Sequence, residues 1–163
     1  MPSSDPSIYE EILIESNDGS TSVDLRLGVQ SIDYYEDIFS PTITLKMVIT
    51  NTGNTVNGKG IYQGLPLRGG ERVSIRIKDK LDFSDRSQYF YVSSITNVIS
   101  NNQSESFVLN LCSREAITNE TARVPVKFPT SSPISVSAEK IIKDYLRTPK
   151  TVEVDKTMNK YGF

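Results

Sequence analysis

The chain has 163 residues, a formal net charge of -2, no histidine and a single cysteine. This length suits one domain with a substantial core and leaves no room for two large domains. The missing histidine excludes the usual catalytic triads and histidine-containing zinc sites, and a lone cysteine excludes an internal disulfide. Lysine and arginine are scattered among acids, which disfavours tight binding to a nucleic-acid backbone. The N-terminal residues lack the pattern of a secretory signal, so we expect a cytosolic origin.

Alternation of apolar and polar side chains dominates the first two thirds of the chain. Residues 8–16 (IYEEILIES) and 21–30 (TSVDLRLGVQ) predict two strands joined by a hairpin turn. The apolar face of the second strand is predicted to carry Val23, Leu25, Leu27 and Val29. Residues 31–41 (SIDYYEDIFSP) break the two-residue period, and we interpret their acidic, aromatic centre as a loop.

A long loop is predicted after the next strand. In that strand, TITLKMVIT, one apolar face is shared by Ile43, Leu45, Met47 and Ile49. Residues 51–64 (NTGNTVNGKGIYQG) are rich in glycine and asparagine and contain few groups able to form a core. A loop of this length either contacts a partner or is a mobile excursion, and the sequence leaves both alternatives open.

The adjacent glycines Gly69 and Gly70 precede the alternating run RVSIRIK. A phosphate-binding loop requires a helix directly after its glycines, because the first N–H groups of that helix converge on the anion. Since a strand pattern follows instead, we interpret the pair as a tight turn. Two further strands, YFYVSSITNVIS and ESFVLNLCS, are predicted to form a hairpin. In the second of them Phe107, Leu109 and Leu111 share a face, and Cys112 is predicted to be a buried, unreactive thiol.

The last third of the chain changes character. After a proline-punctuated, partly extended stretch, SVSAEKIIKDYLR predicts the main helix near residues 137–147, with Ser137 at its start. These patterns predict a mainly β fold, a small barrel or two-layer sandwich with one covering helix. The predicted organisation is a flexible arm at residues 1–7, a β domain at residues 8–147 and, at residues 148–163, the start of a following segment.

Acidic residues offer two candidate sites for chemistry. One cluster surrounds two tyrosines and contains Asp33, Glu36 and Asp37. Two carboxylates can act as acid and base in a glycosidase, but an acidic, aromatic segment is more often a solvated face or a subunit contact. The second cluster lacks the glycine and distal glutamate of a calcium loop, and it contains Asp79, Asp82 and Asp85. We therefore predict no enzyme, no metal site and no cofactor.

Subunit contacts are predicted in the segments 31–41 and 51–64. Tyrosines offer a large contact area with a polar tip, and a sheet with open edges must have them paired or covered. Assembly with neighbouring copies is a natural outcome of such a sheet. The candidate interface residues are Tyr34, Tyr35, Glu36, Asp37, Asn57, Lys59 and Tyr62.

The order of the strand motifs carries a family resemblance. The motifs DLRLGVQSIDYYEDIFSPTITLKMVITNTG, LPLRGGERVSIRIKD, YFYVSSITNV and FVLNLCSREAITNETARV resemble the N-terminal part of the baseplate hub protein of large contractile-tailed bacteriophages, cyanophage type, over roughly residues 8–147. This module is similar to the tail-tube fold and to spike proteins of the type VI secretion system. The resemblance implies a tail-tube-like barrel and, because hub proteins are longer, a fragment of a longer chain.

The resemblance also implies a structural role in the tail baseplate of a virion assembled in the host cytoplasm. In that family a trimer presents a pseudo-sixfold ring, which joins the tail tube to the central spike and lines the DNA channel. The implied partners are further copies of the chain, tail tube or tube-initiator proteins and the central spike protein, with DNA as transient cargo and no membrane binding. Two alternatives stay open: a tail tube or tube-initiator protein, and a β-sandwich carbohydrate- or peptide-binding module.

Overall fold

The computed structural model of the protein describes residues 8–40, 42–53, 56–78, 87–101 and 103–158. The chain divides into two compact units, Met1–Ser113 and Arg114–Phe163. The first unit contains an antiparallel sheet, and the second contains short helices joined by irregular segments. None of the helices in the described ranges has the length and apolar character needed to cross a membrane.

The sheet of the first unit has seven strands among its described residues. They are β1 (Ile8–Glu15), β2 (Ser22–Asp24), β3 (Val29–Tyr35), β4 (Thr44–Thr52), β5 (Arg72–Lys78), β6 (Gln88–Ser100) and β7 (Ser104–Ser113). All neighbours pair antiparallel in the order β2-β1-β5-β6-β7-β4-β3, and the sheet curls into a half-barrel. The predicted mainly β fold class is confirmed.

The two outer strands of the sheet, β2 and β3, are joined by the short corner 25–28. On one side of this corner, the Leu25 N–H donates to the Ile12 carbonyl of β1 over 2.7 Å. On the other side, the Thr50 N–H of β4 donates to the Gly28 carbonyl over 2.8 Å. Because these two bonds attach one corner to opposite ends of the sheet, they hold the sheet in its curled shape.

The apolar side chains of alternate strand positions fill the inside of the curl. Successive side chains of a strand point to opposite faces, so the two-residue period selects one face for burial. The largest fully buried apolar residues are Phe107, Ile12, Ile14, Leu25, Met47, Ile49, Leu65, Leu109, Leu111 and Val73. Full burial of one such side chain contributes about 1.5–3 kcal/mol. The predicted apolar faces of β4 and β7 are confirmed for the residues inside the strands, which are Leu45, Met47, Ile49, Phe107, Leu109 and Leu111. Ile43 lies just before β4 and is partly buried against the core.

The predicted apolar face of residues 21–30 is correct for Val23 and Leu25 and wrong for Leu27. The first two side chains are buried, whereas Leu27 is 100% exposed. β2 ends before Leu25, and the Gly28 N–H donates to the Leu25 carbonyl over 2.9 Å. The backbone therefore turns at the corner, and the alternation does not extend through it.

The acidic, aromatic segment is also not entirely a loop. Residues through Tyr35 belong to β3, which pairs with β4 from Val29 opposite Ile49 to Tyr35 opposite Thr44. The register shifts between Val29 and Ser31, and most side chains of β3 are exposed. An outer strand with a shifted register carries no clean two-residue pattern, so the sequence does not reveal β3 as a strand.

The segment 51–64 contributes more to the core than predicted. Val56 forms an isolated bridge with Lys59, and a helix, α1 (Ile61–Gly64), follows. Val56 and Ile61 are both buried within the apolar cluster of the first unit. The prediction of a long loop is therefore wrong where α1 forms, and the few apolar groups of the segment do join the core.

The second unit contains α2 (Arg114–Thr121) and α3 (Ile134–Lys140), and α3 continues as a π-helical turn, Ile141–Tyr145. The helix predicted near residues 137–147 is present but begins earlier, after Pro133, so that Ser137 lies inside it and is buried. The helix α2 was not predicted. Its residues are mostly polar, and the sequence shows no apolar stripe at helical spacing there.

The Gly28 position has little room for a side chain. A Cβ there would lie 3.0 Å from the Thr50 carbonyl oxygen, a backbone atom that cannot rotate away. We expect Gly28→Ala to lower the free energy of unfolding by about 1–3 kcal/mol through overpacking. The matched control is Leu27→Ala at the fully exposed neighbour, expected to change stability by less than about 0.5 kcal/mol. Chemical denaturation measures both, and equal stabilities would contradict the tight corner.

Candidate subunit interface

β3 is the longer of the two outer strands of the sheet. It has seven residues, against three in β2, and within the described ranges it pairs with β4 along one side only. An outer strand presents unpaired N–H and C=O groups, which form a template for another strand. The side chains of β3 are also mostly exposed. Its free side is therefore the most extensive open edge of the sheet.

Two tyrosines end this strand on opposite faces. Tyr34 lies opposite the buried Leu45, and Tyr35 lies opposite the exposed Thr44. The Tyr34 hydroxyl donates a hydrogen bond to Glu36 Oε2 over 3.0 Å. Partial burial, followed by this hydrogen bond and the nearby carboxylate charge, raises the pKa of Tyr34 to about 12. Tyr34 is therefore a neutral hydrogen-bond donor at physiological pH.

Four of the seven predicted interface residues share one cleft. Tyr34, Tyr35, Glu36 and Asp37 line a cavity of about 400 Å³ at the end of β3. The rest of its lining carries hydroxyl groups, from Ser40, Thr42 and Thr44. The cleft thus combines aromatic surface, negative charge and hydroxyl groups at the open edge.

The loop after β3 exposes two large apolar side chains that are not among the predicted interface residues. Asp37 Oδ1 accepts a hydrogen bond from the Phe39 N–H over 2.9 Å, which turns the backbone. Ile38 and Phe39 are each 93% exposed. They follow the two exposed tyrosines closely in the sequence, so this part of the chain concentrates exposed apolar side chains, which mark contact sites when they gather in one place. An apolar pair inside an otherwise polar loop was the available sequence signal.

The other three predicted residues lie elsewhere in the first unit. Asn57 has a φ of 51° in a tight turn closed by the reciprocal 2.9 Å backbone bonds of Val56 and Lys59. The Tyr62 ring packs against Phe107, with 6.1 Å between ring centroids. Lys59 lines a polar cleft of about 440 Å³ that shares no lining residue with the cleft at β3. The structure therefore does not unite all seven residues in one surface.

A buried carboxylate fixes the shape of the segment 51–64. Glu105, on β7, is 4% exposed and accepts hydrogen bonds from the N–H groups of Ile61 and Tyr62, the latter over 3.2 Å. It also accepts one from Asn51 Nδ2 over 2.8 Å. A Cβ at Gly60 would overlap this carboxylate. The glycine is needed so that the chain can approach Glu105 closely.

A second buried carboxylate settles the role of the glycine pair. Gly69 and Gly70 have φ values of 106° and 89°. The N–H groups of Arg68 and Gly69 donate to the Glu71 carboxylate over 2.7 and 2.9 Å, and Asn17 Nδ2 donates to it over 3.0 Å. The N–H groups that could bind a phosphate already bind the chain's own anion. The interpretation as a turn feeding β5 is confirmed.

The acidic cluster does not form a pair of matched acid and base groups. Asp33 lies in β3 opposite Lys46, Glu36 accepts from Tyr34, and Asp37 caps its own loop. Glu36 and Asp37 each accept a hydrogen bond within their own segment, and Asp33 shares its face of the sheet with a lysine. This arrangement fits an interface better than a site for general acid–base chemistry.

The remaining candidate groups are placed as follows. Cys112 is buried, and desolvation raises the pKa of its thiol, so that it is a poor nucleophile. The predicted burial of this residue is confirmed. Asp79, Asp82 and Asp85 lie outside the described residues. Among the residues that are described, no three potential metal ligands form a group.

The sequence matches no protein-family model, and comparison with curated proteins finds no significant match either. Function is therefore inferred from the geometry of the described residues and from the resemblance of the strand motifs.

The raised pKa of Tyr34 has a spectroscopic consequence. We expect Tyr34 to ionise near pH 12, above the ordinary tyrosine value of 10.0. Because the pKa is raised in the folded state, the Tyr34–Glu36 interaction is fully present below pH 10 and is lost as the pH approaches 12. Ultraviolet titration of the protein and of Tyr34→Phe measures this ionisation. An ionisation near pH 12 that persists in Tyr34→Phe would contradict the assignment.

The Glu105 carboxylate can be tested separately. Glu105→Gln replaces an acceptor of several hydrogen bonds by an amide whose NH₂ group cannot accept. We expect the free energy of unfolding to fall by about 1–3 kcal/mol, because buried backbone donors lose their partner. Gln63→Ala, an exposed change in the same segment, is the control and should alter stability by less than about 0.5 kcal/mol. Denaturation of both variants decides the point: a neutral Glu105→Gln would show that the carboxylate does not hold the segment.

Proposed function

We propose that this protein is a structural subunit of the baseplate hub of a contractile bacteriophage tail. Its copies stand side by side in a ring that connects the tail tube to the central spike. The observation that carries the proposal is the curled antiparallel sheet that ends in a long, open outer strand. Such a sheet gains hydrogen bonds when another strand pairs with its edge, so self-assembly is favoured.

The surface around the open edge has the composition of a subunit contact. Tyr34, Tyr35, Ile38 and Phe39 follow one another within a few residues, and all four are exposed. Interface cores are enriched in aromatic residues because these bury a large area with few rotatable bonds. The strand edge supplies direction and register, and the apolar residues supply contact area. Both are needed for a ring of fixed geometry.

The polar face of β1 and β5 suits the wall of a channel for DNA. Ion pairs join Arg72 to Glu15, and join Arg76 and Lys78 to Glu10. Exposed pairs of this kind contribute less than about 1 kcal/mol to stability. They nevertheless leave each cation beside an anion, and a wall of neutralised cations binds passing phosphates weakly. Transient passage of DNA requires such weak binding.

The number of copies in the assembled species, measured from its mass over a range of protein concentrations, tests the proposal. Native mass spectrometry and sedimentation velocity should detect closed species of three or six copies. Three copies, each with a second barrel in the complete protein, correspond to a hub, and six copies of a single barrel correspond to a tail tube protein. A chain that is monomeric at every concentration and joins no tail protein would contradict the proposal.

The apolar loop next to β3 provides a matched pair of variants. We expect Phe39→Asp to raise the dissociation constant of the assembly at least about tenfold, because a charge replaces an apolar contact. Leu27→Asp makes the same chemical change at another side chain that is almost completely exposed. It should leave assembly unchanged. An equal effect of both substitutions would show that the loop after β3 is not the contact.

A further inference from the structure

Residues 123–128 (RVPVKF) of the second unit have the character of a strand without a partner. They lie between α2 and α3, outside any described helix or strand. None of their backbone groups makes a backbone hydrogen bond with another described residue. Val124 and Val126 are 43% and 45% exposed, and β-branched residues of this kind favour strands.

The prolines of this segment favour pairing along one edge only. Proline holds the residue before it in an extended conformation, which applies here to Val124 and Phe128. In a strand, the N–H groups of Val124, Val126 and Phe128 point to one edge. Pro125 and Pro129, which have no N–H, fall on the opposite edge. A strand that pairs through its even-numbered residues therefore loses no hydrogen bond to proline, and its prolines block addition of a further strand.

The same alternation divides the side chains of the segment into two faces. Val124, Val126 and Phe128 share an apolar face, and Arg123 and Lys127 share the basic face. The segment thus matches an edge that is apolar on one face and acidic on the other.

β3 is such an edge. Ile32 and Tyr34 lie opposite the core residues Met47 and Leu45, so they belong to the apolar face of the sheet. Asp33 belongs to the other face. If residues 123–128 were added to β3 in matching orientation, their valines and phenylalanine would continue the apolar face. Arg123 and Lys127 would then lie on the same face as Asp33.

The charges of the two surfaces complement each other. β3 and the turn after it carry Asp33, Glu36 and Asp37, all of them exposed. The segment RVPVKF contains two cations and no acid. Opposite charges at neighbouring strand positions stabilise pairing, whereas like charges oppose it.

We propose that residues 123–128 of one copy add as an outer strand to β3 of a neighbouring copy. This inference rests on the proposed self-assembly and names the contact that makes it. Each copy gives one strand and receives one, so the contact is heterologous and repeats around a ring until rotation closes it. The prolines then form the outer border of the extended sheet.

Two proline variants test the direction of pairing. Val126→Pro removes an N–H that faces β3, and Lys127→Pro removes one that faces outward. Because neither N–H makes a described backbone bond within the chain, both variants should fold normally, as checked by circular dichroism. We expect Val126→Pro to raise the dissociation constant of the assembly at least about tenfold and Lys127→Pro to change it less than about threefold.

The outcomes separate this inference from the proposed function. If the unchanged protein assembles and both proline variants assemble equally well, the strand contact is wrong and the proposed function stands. If both variants fail to assemble, the one-sided pairing is wrong. If the unchanged protein is monomeric and Val126→Pro lowers its thermal stability, the segment pairs within its own chain, which overturns the contact between copies. If no species assembles and stability is unchanged, both proposals fail.

A charge reversal identifies β3 as the receiving edge. Lys127→Glu should weaken assembly because it places like charges across the contact. Asp33→Lys should weaken it for the same reason, and it also sets a second lysine opposite Lys46 within the sheet. The two changes combined in one chain should restore most of the lost affinity, since every contact in the ring then has the reversed pair. Additive losses in the combined variant would show that the segment docks on another surface.

Discussion

The corner 25–28 is the constraint on which the rest of the first unit depends. A hydrogen bond from Leu25 to Ile12 fixes the corner to β1, and one from Thr50 to Gly28 fixes it to β4. The sheet must curl to satisfy both bonds, and curling encloses the apolar face that its strands share. The same corner makes β2 and β3 the outer strands of the sheet. One short turn therefore shapes the core and creates the open edge on which the proposed assembly depends.

The two loops that most resemble ligand sites are shaped by carboxylates of the chain itself. The Glu71 carboxylate accepts hydrogen bonds from the backbone N–H groups of Arg68 and Gly69. The Glu105 carboxylate accepts hydrogen bonds from the N–H groups at the start of α1. A carboxylate held by backbone donors is a strong interaction, because charge-assisted bonds are about twice as strong as neutral ones. Because these carboxylates already occupy the backbone N–H donors of both loops, neither loop needs a bound anion. The glycines near these carboxylates allow the backbone to approach them closely. The edge of β3 is therefore the better candidate for a contact surface.

Sequence patterns predicted the elements with one buried face and missed those without one. The alternation in β4 and β7 identified their core residues, because burial on one side of a strand imposes a period of two. β3 has no such period, since it lies at the edge with most side chains exposed, and α2 carries no apolar stripe. Tyr34 and Tyr35 were predicted as contact residues from their chemistry, whereas the exposed Ile38 and Phe39 are not among the predicted residues. The hydrogen bonds to Glu105 join residues more than 40 positions apart, so no local sequence pattern predicts them.

Amide hydrogen exchange at Leu25 and Thr50 in the monomeric chain measures the closure of the sheet directly. Both amides belong to short bonds that tie the corner to opposite ends of the sheet. If the closure is correct, they exchange as slowly as the central amides of β7, because all of them open only when the sheet unfolds. Exchange of either amide at the rate of an exposed turn would show an open sheet and would contradict the curled wall on which the proposed ring depends.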